Sequence, residues 1–275
     1  MLETLQEMLA YDFVWRALIV GLLVSLCSAL LGVSLVLKRY SMIGDGLSHV
    51  GFGALALALA FNWAPLAVAI PIVVVAALLL LRLSENSKIR GDAAIALIST
   101  SALALGVFVI SVTKGMNVDI NNYMFGSILA MTSSDVYLSV VLSILVMCVF
   151  CLCYNRIFAV TFDEQFARAT GTRVNLFNTI LALLSAITIV LGMRMMGALL
   201  ISSLVIFPSL ASMQVFKTFR QVVISSAILS TICFLVGLYT SFVLATPTGA
   251  SIVITNMLMF GLCCFAGWLR RGLEL

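Results

Sequence analysis

The stretch Phe13–Leu37, FVWRALIVGLLVSLCSALLGVSLVL, decides the fold class, because its apolar run is interrupted by a single charge, Arg16. About 20 mostly apolar residues are enough for a helix to cross the hydrocarbon core of a bilayer. The whole chain has the same character, with 63% hydrophobic and 9% charged residues and a mean hydropathy of +1.22. Soluble domains carry about 25% charged residues. The stretch is therefore predicted to span a membrane.

Working outward from this stretch, the same length criterion finds further apolar runs along the whole chain. We predict an all-α, polytopic membrane protein with eight or nine transmembrane helices, forming one membrane domain over residues 1–275. The short, half-polar segment Asn121–Met131 is predicted to be interfacial or re-entrant. The nine candidate spans are Phe13–Leu37, Met42–Phe61, Trp63–Leu81, Ala93–Val112, Val136–Tyr154, Leu176–Met193, Met196–Phe216, Val222–Leu244 and Ser251–Leu269.

Basic residues cluster in every second gap between these spans. Cytoplasmic loops of membrane proteins carry an excess of Lys and Arg. The pattern predicts an external N-terminus and a cytoplasmic C-terminus, and it explains the net charge of +4 without a nucleic-acid partner. The clusters are Lys38 and Arg39; Arg82, Lys88 and Arg90; Arg156, Arg168 and Arg173; Lys217 and Arg220; and Arg270 and Arg271.

The second span opens with the most polar motif inside an apolar run, SMIGDGLSHVGFG at residues 41–53. Asp45 and His49 lie four residues apart, which places them on one face of a helix, one turn from each other. An ionisable residue costs about 2.5–3.5 kcal/mol at membrane depth, so such residues usually face a bundle interior or an aqueous pathway. His49 is the only histidine in the chain.

Two interpretations of this pair are open from the residues alone. Asp45 and His49 could form a structural hydrogen bond between helices. A carboxylate with an imidazole also suits divalent zinc, manganese or iron. One chain offers only these two ligands, too few for a tetrahedral site, whereas a two-fold dimer would supply four on its axis. The neighbouring glycines predict a close approach of another backbone.

Three segments give the chain a family resemblance. MIGDGLSH at residues 42–49 resembles the signature of the permeases of zinc and manganese ABC importers, the ABC-3 family. The segment MGALLISSLVIFPSLA at 196–211 resembles a second signature, and PTGA at 247–250 resembles a third. The resemblance implies that Asp45 and His49 bind a transported ion, that the chain works as a homodimer in a bacterial cell membrane, and that an extracellular metal-binding protein delivers the ion.

The segment Asp163–Gly171, DEQFARATG, lies in the longest predicted cytoplasmic connection, Asn155–Val174. Its acidic start, central apolar pair and glycine end predict a short amphipathic surface helix. From the residues alone this is an ordinary capped connector. The family resemblance implies instead a coupling helix that engages the ATPase through Asp163, Glu164, Phe166, Ala167, Arg168 and Gly171.

The sequence contains no GxxxxGK[ST] phosphate-binding loop, so ATP hydrolysis is assigned to a separate cytoplasmic subunit and this chain is not expected to be an enzyme. Pro208, inside the seventh span, is predicted to kink its helix. The seven cysteines lie in apolar runs without a CxxC pair, and we interpret them as packing residues. No permanently bound cofactor is expected, only transported Zn²⁺ or Mn²⁺.

Two other functional classes compete with ABC import. A stand-alone, ion-coupled metal transporter could use Asp45 and His49 as a proton relay. An intramembrane hydrolase is disfavoured because HExxH is absent and because adjacent Ser48 and His49 point about 100° apart on a helix. Ligand type alone does not separate zinc from manganese. The first signature resembles the zinc permeases more, so zinc is favoured.

Overall fold

The computed structural model describes residues 10–86, 91–113 and 133–273, and within these ranges the chain folds into helices without a strand. Nine of the described helices are long and apolar enough to cross a membrane, which confirms the predicted all-α, polytopic class. The helices are α1 (Asp12–Leu37), α2 (Ile43–Ala60), α3 (Pro65–Asn86), α4 (Gly91–Thr113), α5 (Ser133–Phe162), α6 (Glu164–Ala169), α7 (Val174–Met196), α8 (Ala198–Val215), α9 (Phe219–Leu244) and α10 (Thr248–Leu273).

Two element boundaries differ from the sequence prediction. Met196, predicted to open the seventh span, instead ends α7, and α8 begins at Ala198 after a break of one residue. Gly197 makes that break with φ 88° and ψ 161°, a backbone conformation essentially restricted to glycine. The predicted connection Asn155–Val174 is also mostly helical, because α5 runs on to Phe162 and α6 follows directly.

Several predictions fall outside the described residues. They concern the segment Asn121–Met131 and the two basic residues Lys88 and Arg90.

The basic clusters in the described ranges meet at one end of the helix bundle, which we call the basic end. Lys38, after α1, contacts Glu164 of α6 and Asn178 of α7. Arg82, near the end of α3, lines one surface cleft with Asn175 and Thr179 of α7. The alternation predicted from the sequence therefore corresponds to one face of the protein.

Two further basic residues, one on α5 and one on α10, make contacts at the same end. Arg156 of α5 donates a hydrogen bond from Nη1 to Thr172 Oγ1 at 3.2 Å. Arg270 of α10 donates to the carbonyl oxygen of Val215, at the end of α8, at 3.4 Å. The opposite end is marked by an ion pair between Arg194 Nη2 of α7 and Asp135 Oδ2 of α5, 3.8 Å apart. Arg194 is thus largely buried against a carboxylate.

Burial separates inner helices from outer ones. In α1, α2 and α7, about two thirds or more of the residues in the apolar stretch of the helix are buried, but in α4, α5 and α10 less than a third are. The outer helices expose large apolar side chains such as Leu105, Leu152 and Leu262. Such surfaces suit contact with lipid. The inner helix α2, which carries Asp45 and His49, is packed against α3, α4, α7 and α8.

Candidate metal site

Asp45 and His49 lie one turn apart on α2, as predicted from their spacing. His49 Nε2 is 3.5 Å from Asp45 Oδ2. Among the residues that the structure describes, His, Cys, Asp and Glu side chains nowhere form a group of three or more that could hold a metal ion. A single chain therefore supplies a carboxylate and an imidazole that converge, and further ligands for an ion must come from outside this pair.

The pair is open on one side of the isolated chain. About 46% of the Asp45 side chain and 25% of the His49 side chain are exposed. A Cβ added at neighbouring Gly44 would meet no atom within 4 Å. Since these groups lie on a membrane-spanning helix, their open side is where water, a passing ion or another protein chain can reach them.

Glycines on the rest of α2 hold it close to its neighbours. A Cβ at Gly53 would lie 2.7 Å from the carbonyl oxygen of Ala102 in α4, and one at Gly51 would lie 2.5 Å from the terminal methyl of Met193 in α7. The close backbone approach predicted from the glycine pattern is confirmed at Gly53. α2 is therefore anchored through these glycines, while the face with Asp45 stays open.

Ser202 is a member of the site that sequence reasoning missed. Its Oγ lies 3.4 Å from Asp45 Oδ1, to which it donates a hydrogen bond, and it also lies 3.3 Å from the carbonyl oxygen of Ala198 in its own helix. The contact joins residues 157 positions apart. The available signal was its position in the second quoted segment, MGALLISSLVIFPSLA, from which only Pro208 was singled out.

The contact between Asp45 and Ser202 places the site inside the bundle. Asp45 lies in the first turn of α2, which starts from the basic end directly after Lys38. Ser202 lies near the start of α8, which follows α7 and the break at Gly197 from the opposite end. The first turns of two helices that enter from opposite ends of the bundle therefore meet at this contact.

Pro208 lies further along α8, and the helix continues through it from Ala198 to Val215. Its side chain is buried. It is not part of the cluster formed by Asp45, His49 and Ser202, and the kink expected at Pro208 stays a prediction.

A six-residue helix, α6, occupies the segment predicted to be amphipathic. Asp163 caps its start, since its Oδ1 accepts a hydrogen bond from the Phe166 N–H at 2.9 Å. Gly171 ends the turn at φ 80° and donates from its N–H to the Arg168 carbonyl, while the next N–H, of Thr172, bonds to the Ala167 carbonyl. This pair of bonds is the Schellman motif, so the predicted glycine end is confirmed.

The two apolar residues of α6 have opposite environments. Ala167 is fully buried in a cluster with Val160 of α5 and Val174 of α7. Phe166 is 65% exposed, and Arg168 in the last turn is exposed as well. The expected apolar contact surface of this segment therefore reduces to Phe166, because Ala167 faces inward and anchors the helix.

Comparison with known proteins decides the family. The model of the ABC 3 transport family matches residues 10–266, nearly the whole chain. The chain belongs to the ABC 3 transport family. The permease class and the multi-pass membrane location predicted from the sequence are thereby confirmed.

Relatives within the ABC 3 family carry the names of two metals. The high-affinity zinc uptake system membrane protein ZnuB of Haemophilus influenzae is 29% identical over 93% of this chain and 98% of its own length. The manganese transport system membrane protein MntC of Halalkalibacterium halodurans is 27% identical over 94% and 89%. The solved PsaBC from Streptococcus pneumoniae in complex with Fab matches with a TM-score of 0.84 at 26% identity, over 95% of this chain and 94% of that chain.

Ser202 gives a first test of the site in this ABC 3 permease. Groups that hydrogen-bond to a metal ligand typically change metal affinity by 10–100-fold when removed. We expect Ser202→Ala to weaken the apparent affinity for the transported ion about tenfold by freeing Asp45. The measurement is ion uptake against ion concentration in vesicles that contain the complete transporter. The adjacent Ser203→Ala is the matched control, because the Ser203 Oγ donates its hydrogen bond within α8, to the Leu200 carbonyl.

The charge on Glu164, outside the membrane-spanning helices, gives a test by pH. Partial burial of this carboxyl disfavours its charged form, but the Lys38 ammonium, the Asn178 amide and Arg168 favour it more, so the pKa of Glu164 lies below its ordinary value of 4.5. A carboxyl with a lowered pKa stabilises the fold above its unfolded-state pKa and loses that effect as the pH falls through its folded-state pKa.

We therefore expect Glu164→Gln to lower the melting temperature of the purified permease at pH 7 by about 2 °C. The effect is small because the carboxyl is half exposed, and because the glutamine side-chain oxygen and Asn178 Oδ1 still accept hydrogen bonds from Lys38. The difference from the wild type should shrink as the pH falls below 4.5. Thermal unfolding in detergent across this pH range is the measurement. A difference that stays constant with pH would show that the charge of Glu164 does not contribute.

Proposed function

We propose that two copies of this chain form the membrane pathway of an ATP-driven importer that carries a divalent metal ion into the bacterial cytoplasm, with zinc favoured over manganese. One observation carries the proposal. The only histidine of the chain lies 3.5 Å from an aspartate, on an inner membrane-spanning helix, with both side chains open to one side. Hydrocarbon alone offers no partner for such a pair, whereas a hydrated ion pathway does.

The chemistry of the pair fits a dication that binds and then leaves. Imidazole nitrogen and carboxylate oxygen are ligands for zinc and manganese. Two ligands bind weakly, and four from two chains would complete a tetrahedral site. A second copy that approached the open face of α2 about a two-fold axis would bring its own Asp45 and His49 to the first pair. A change of distance between the copies would then bind or release the ion.

The energy is assigned to a second subunit. α6 projects from the basic end, where its exposed Phe166 and Arg168 form a surface for a cytoplasmic ATPase. The capped and anchored geometry of α6 gives that surface a fixed position on the chain. An extracellular metal-binding protein would load the ion from the opposite end. Relatives named for zinc uptake and for manganese transport support cargo of this kind.

Transport by the reconstituted protein tests the proposal against its alternative. Vesicles are prepared with the chain alone and with its ATPase subunit, and zinc and manganese entry is measured with and without ATP. We expect entry only with the ATPase and ATP. A stand-alone ion-coupled transporter would instead move metal without the ATPase, driven by a proton gradient.

Metal content of cells separates zinc from manganese. A strain that lacks the gene is grown in medium depleted of each metal, and total cell zinc and manganese are measured. We expect a fall in zinc and growth restored by added zinc. A fall in manganese alone would assign manganese as the cargo and leave the importer mechanism in place.

A further inference from the structure

Lys38 is a buried cation at the junction between α1 and α2. Its side chain is 5% exposed. Its Nζ lies 2.5 Å from Glu164 Oε1 on α6 and 2.5 Å from Asn178 Oδ1 on α7. Asn178 also donates from its amide to Glu164 Oε1 at 3.3 Å. The three side chains therefore contact one another and join three elements far apart in sequence.

Hydrogen bonds continue from Lys38 to the start of α2 without a gap. At the end of α1, the Arg39 N–H bonds to the Val36 carbonyl and the Tyr40 N–H bonds to the Leu35 carbonyl, which is a Schellman closure. The Ile43 N–H then bonds to the Tyr40 carbonyl at 3.0 Å. Only seven positions separate Lys38 from Asp45. A displacement of Lys38 is therefore carried to the first turn of α2.

The turn between α1 and α2, residues 38–42, has little freedom to absorb a displacement by bending. Arg39 has φ 61°, in the left-handed region, which a non-glycine residue adopts only where its surroundings hold it there. Beside the turn, a cavity of about 20 Å³ is lined by Lys38, Asn178, Ile43 and Leu47 among others. Lys38 and the start of α2 therefore border one small cavity together with α7.

We propose that Lys38 is the positioning residue through which α6 controls the metal pair on α2. The inference rests on the proposed function, in which α6 is engaged by the ATPase. A buried ammonium that loses its carboxylate partner is strongly disfavoured. When α6 shifts with the ATPase, Lys38 follows Glu164, and the hydrogen-bonded turn moves Asp45 and His49 with it. Lys38 itself touches no ion.

The test measures how many metal ions enter per ATP hydrolysed, in vesicles that hold the full assembly of permease, ATPase and external binding protein, with zinc as the probe. In Lys38→Met we expect ATP hydrolysis within about twofold of wild type and zinc entry per ATP about tenfold lower, because the charged hydrogen bonds from Lys38 to Glu164 and Asn178 are lost. Zinc binding in the absence of ATP should stay unchanged, because Asp45 and His49 are intact.

Three further variants make the result specific. Lys38→Arg keeps the charge and should restore most of the zinc entry per ATP that Lys38→Met loses. The double variant Lys38→Glu with Glu164→Lys should move more zinc per ATP than either single variant. The Asn178 side-chain amide can flip, so that its N–H groups and its oxygen exchange places and hydrogen-bond to the exchanged pair. Lys217→Met removes an exposed lysine from the same end and should couple like the wild type.

Each outcome decides one claim. This inference alone is overturned if Lys38→Met moves as many zinc ions per ATP as the wild type. It is overturned as well if the double variant, with Lys38→Glu and Glu164→Lys, moves no more zinc per ATP than either single variant. Wild-type vesicles that move no zinc or manganese with ATP overturn the proposed function instead. If Lys38→Met does not fold, Lys38→Arg and the swapped pair still decide, because both keep a charge partner at each position.

Discussion

Replacing Asp45 by Asn, or His49 by Gln, is expected to reduce metal uptake by at least about 100-fold. Each change nearly preserves the size of the side chain but removes the anionic charge or the imidazole nitrogen that the proposed site offers to the ion. Loss of an outer hydrogen-bonding partner already costs 10–100-fold in affinity, and in the proposed dimer a direct ligand would be lost from both copies at once. Uptake of radioactive zinc into vesicles with the complete transporter is the measurement.

The control for this prediction is Ser48→Ala on the same helix. Ser48 is buried, and its Oγ donates to the main-chain carbonyl oxygen of Asp45 at 2.7 Å rather than to its carboxylate. We expect this variant to keep most of its uptake. If the Asp45 and His49 variants transported like Ser48→Ala, the pair would be a structural hydrogen bond, the interpretation that the sequence alone left open.

Replacing Gly32 by Ala is expected to have the largest effect on stability. Gly32 lies where α1 meets α8, and an added Cβ would overlap the Val205 carbonyl oxygen and lie 2.7 Å from Ser209 Oγ. The carbonyl is part of the helix backbone and cannot rotate away, so α1 and α8 must separate. Overpacking of this kind costs about 1–3 kcal/mol. We expect the melting temperature in detergent to fall by about 5 °C.

Gly44→Ala is the matched control for that prediction. Gly44 is also helical, but a Cβ there would meet no atom within 4 Å. Alanine favours a helix over glycine by about 1 kcal/mol, so this variant should melt at the wild-type temperature or slightly above it. Equal losses in both variants would mean that glycine flexibility, and not close helix packing, determines the stability of the bundle.

The sequence predicted those features that depend on local pattern. Apolar runs of membrane length predicted the nine spans, and the alternating basic clusters predicted the end at which Lys38 and Arg82 lie. The i, i+4 spacing predicted that Asp45 and His49 share a face. Gly171 was predicted to end α6 because a left-handed residue commonly closes a helix.

Other features depend on contacts that no local pattern encodes. Ser202 reaches Asp45 across 157 positions, and Lys38 reaches Glu164 across 126. Ala167 has the same apolar character as Phe166 in sequence, but packing against α5 and α7 buries only Ala167. The sixth span was predicted to end at Met193, before Arg194, but α7 runs on to Met196 and ends only where Gly197 adopts a backbone conformation that favours glycine.

The most direct test of the account is the position of the bound ion. Anomalous scattering at the zinc edge, recorded from crystals of the zinc-loaded permease with its ATPase, locates it. We expect one ion for every two chains, on the two-fold axis and within bonding distance of Asp45 and His49 from both copies. The proposed site would be wrong if the ion lay elsewhere. It would also be wrong if the Asp45–His49 pairs of the two copies lay far from the axis and neither held zinc.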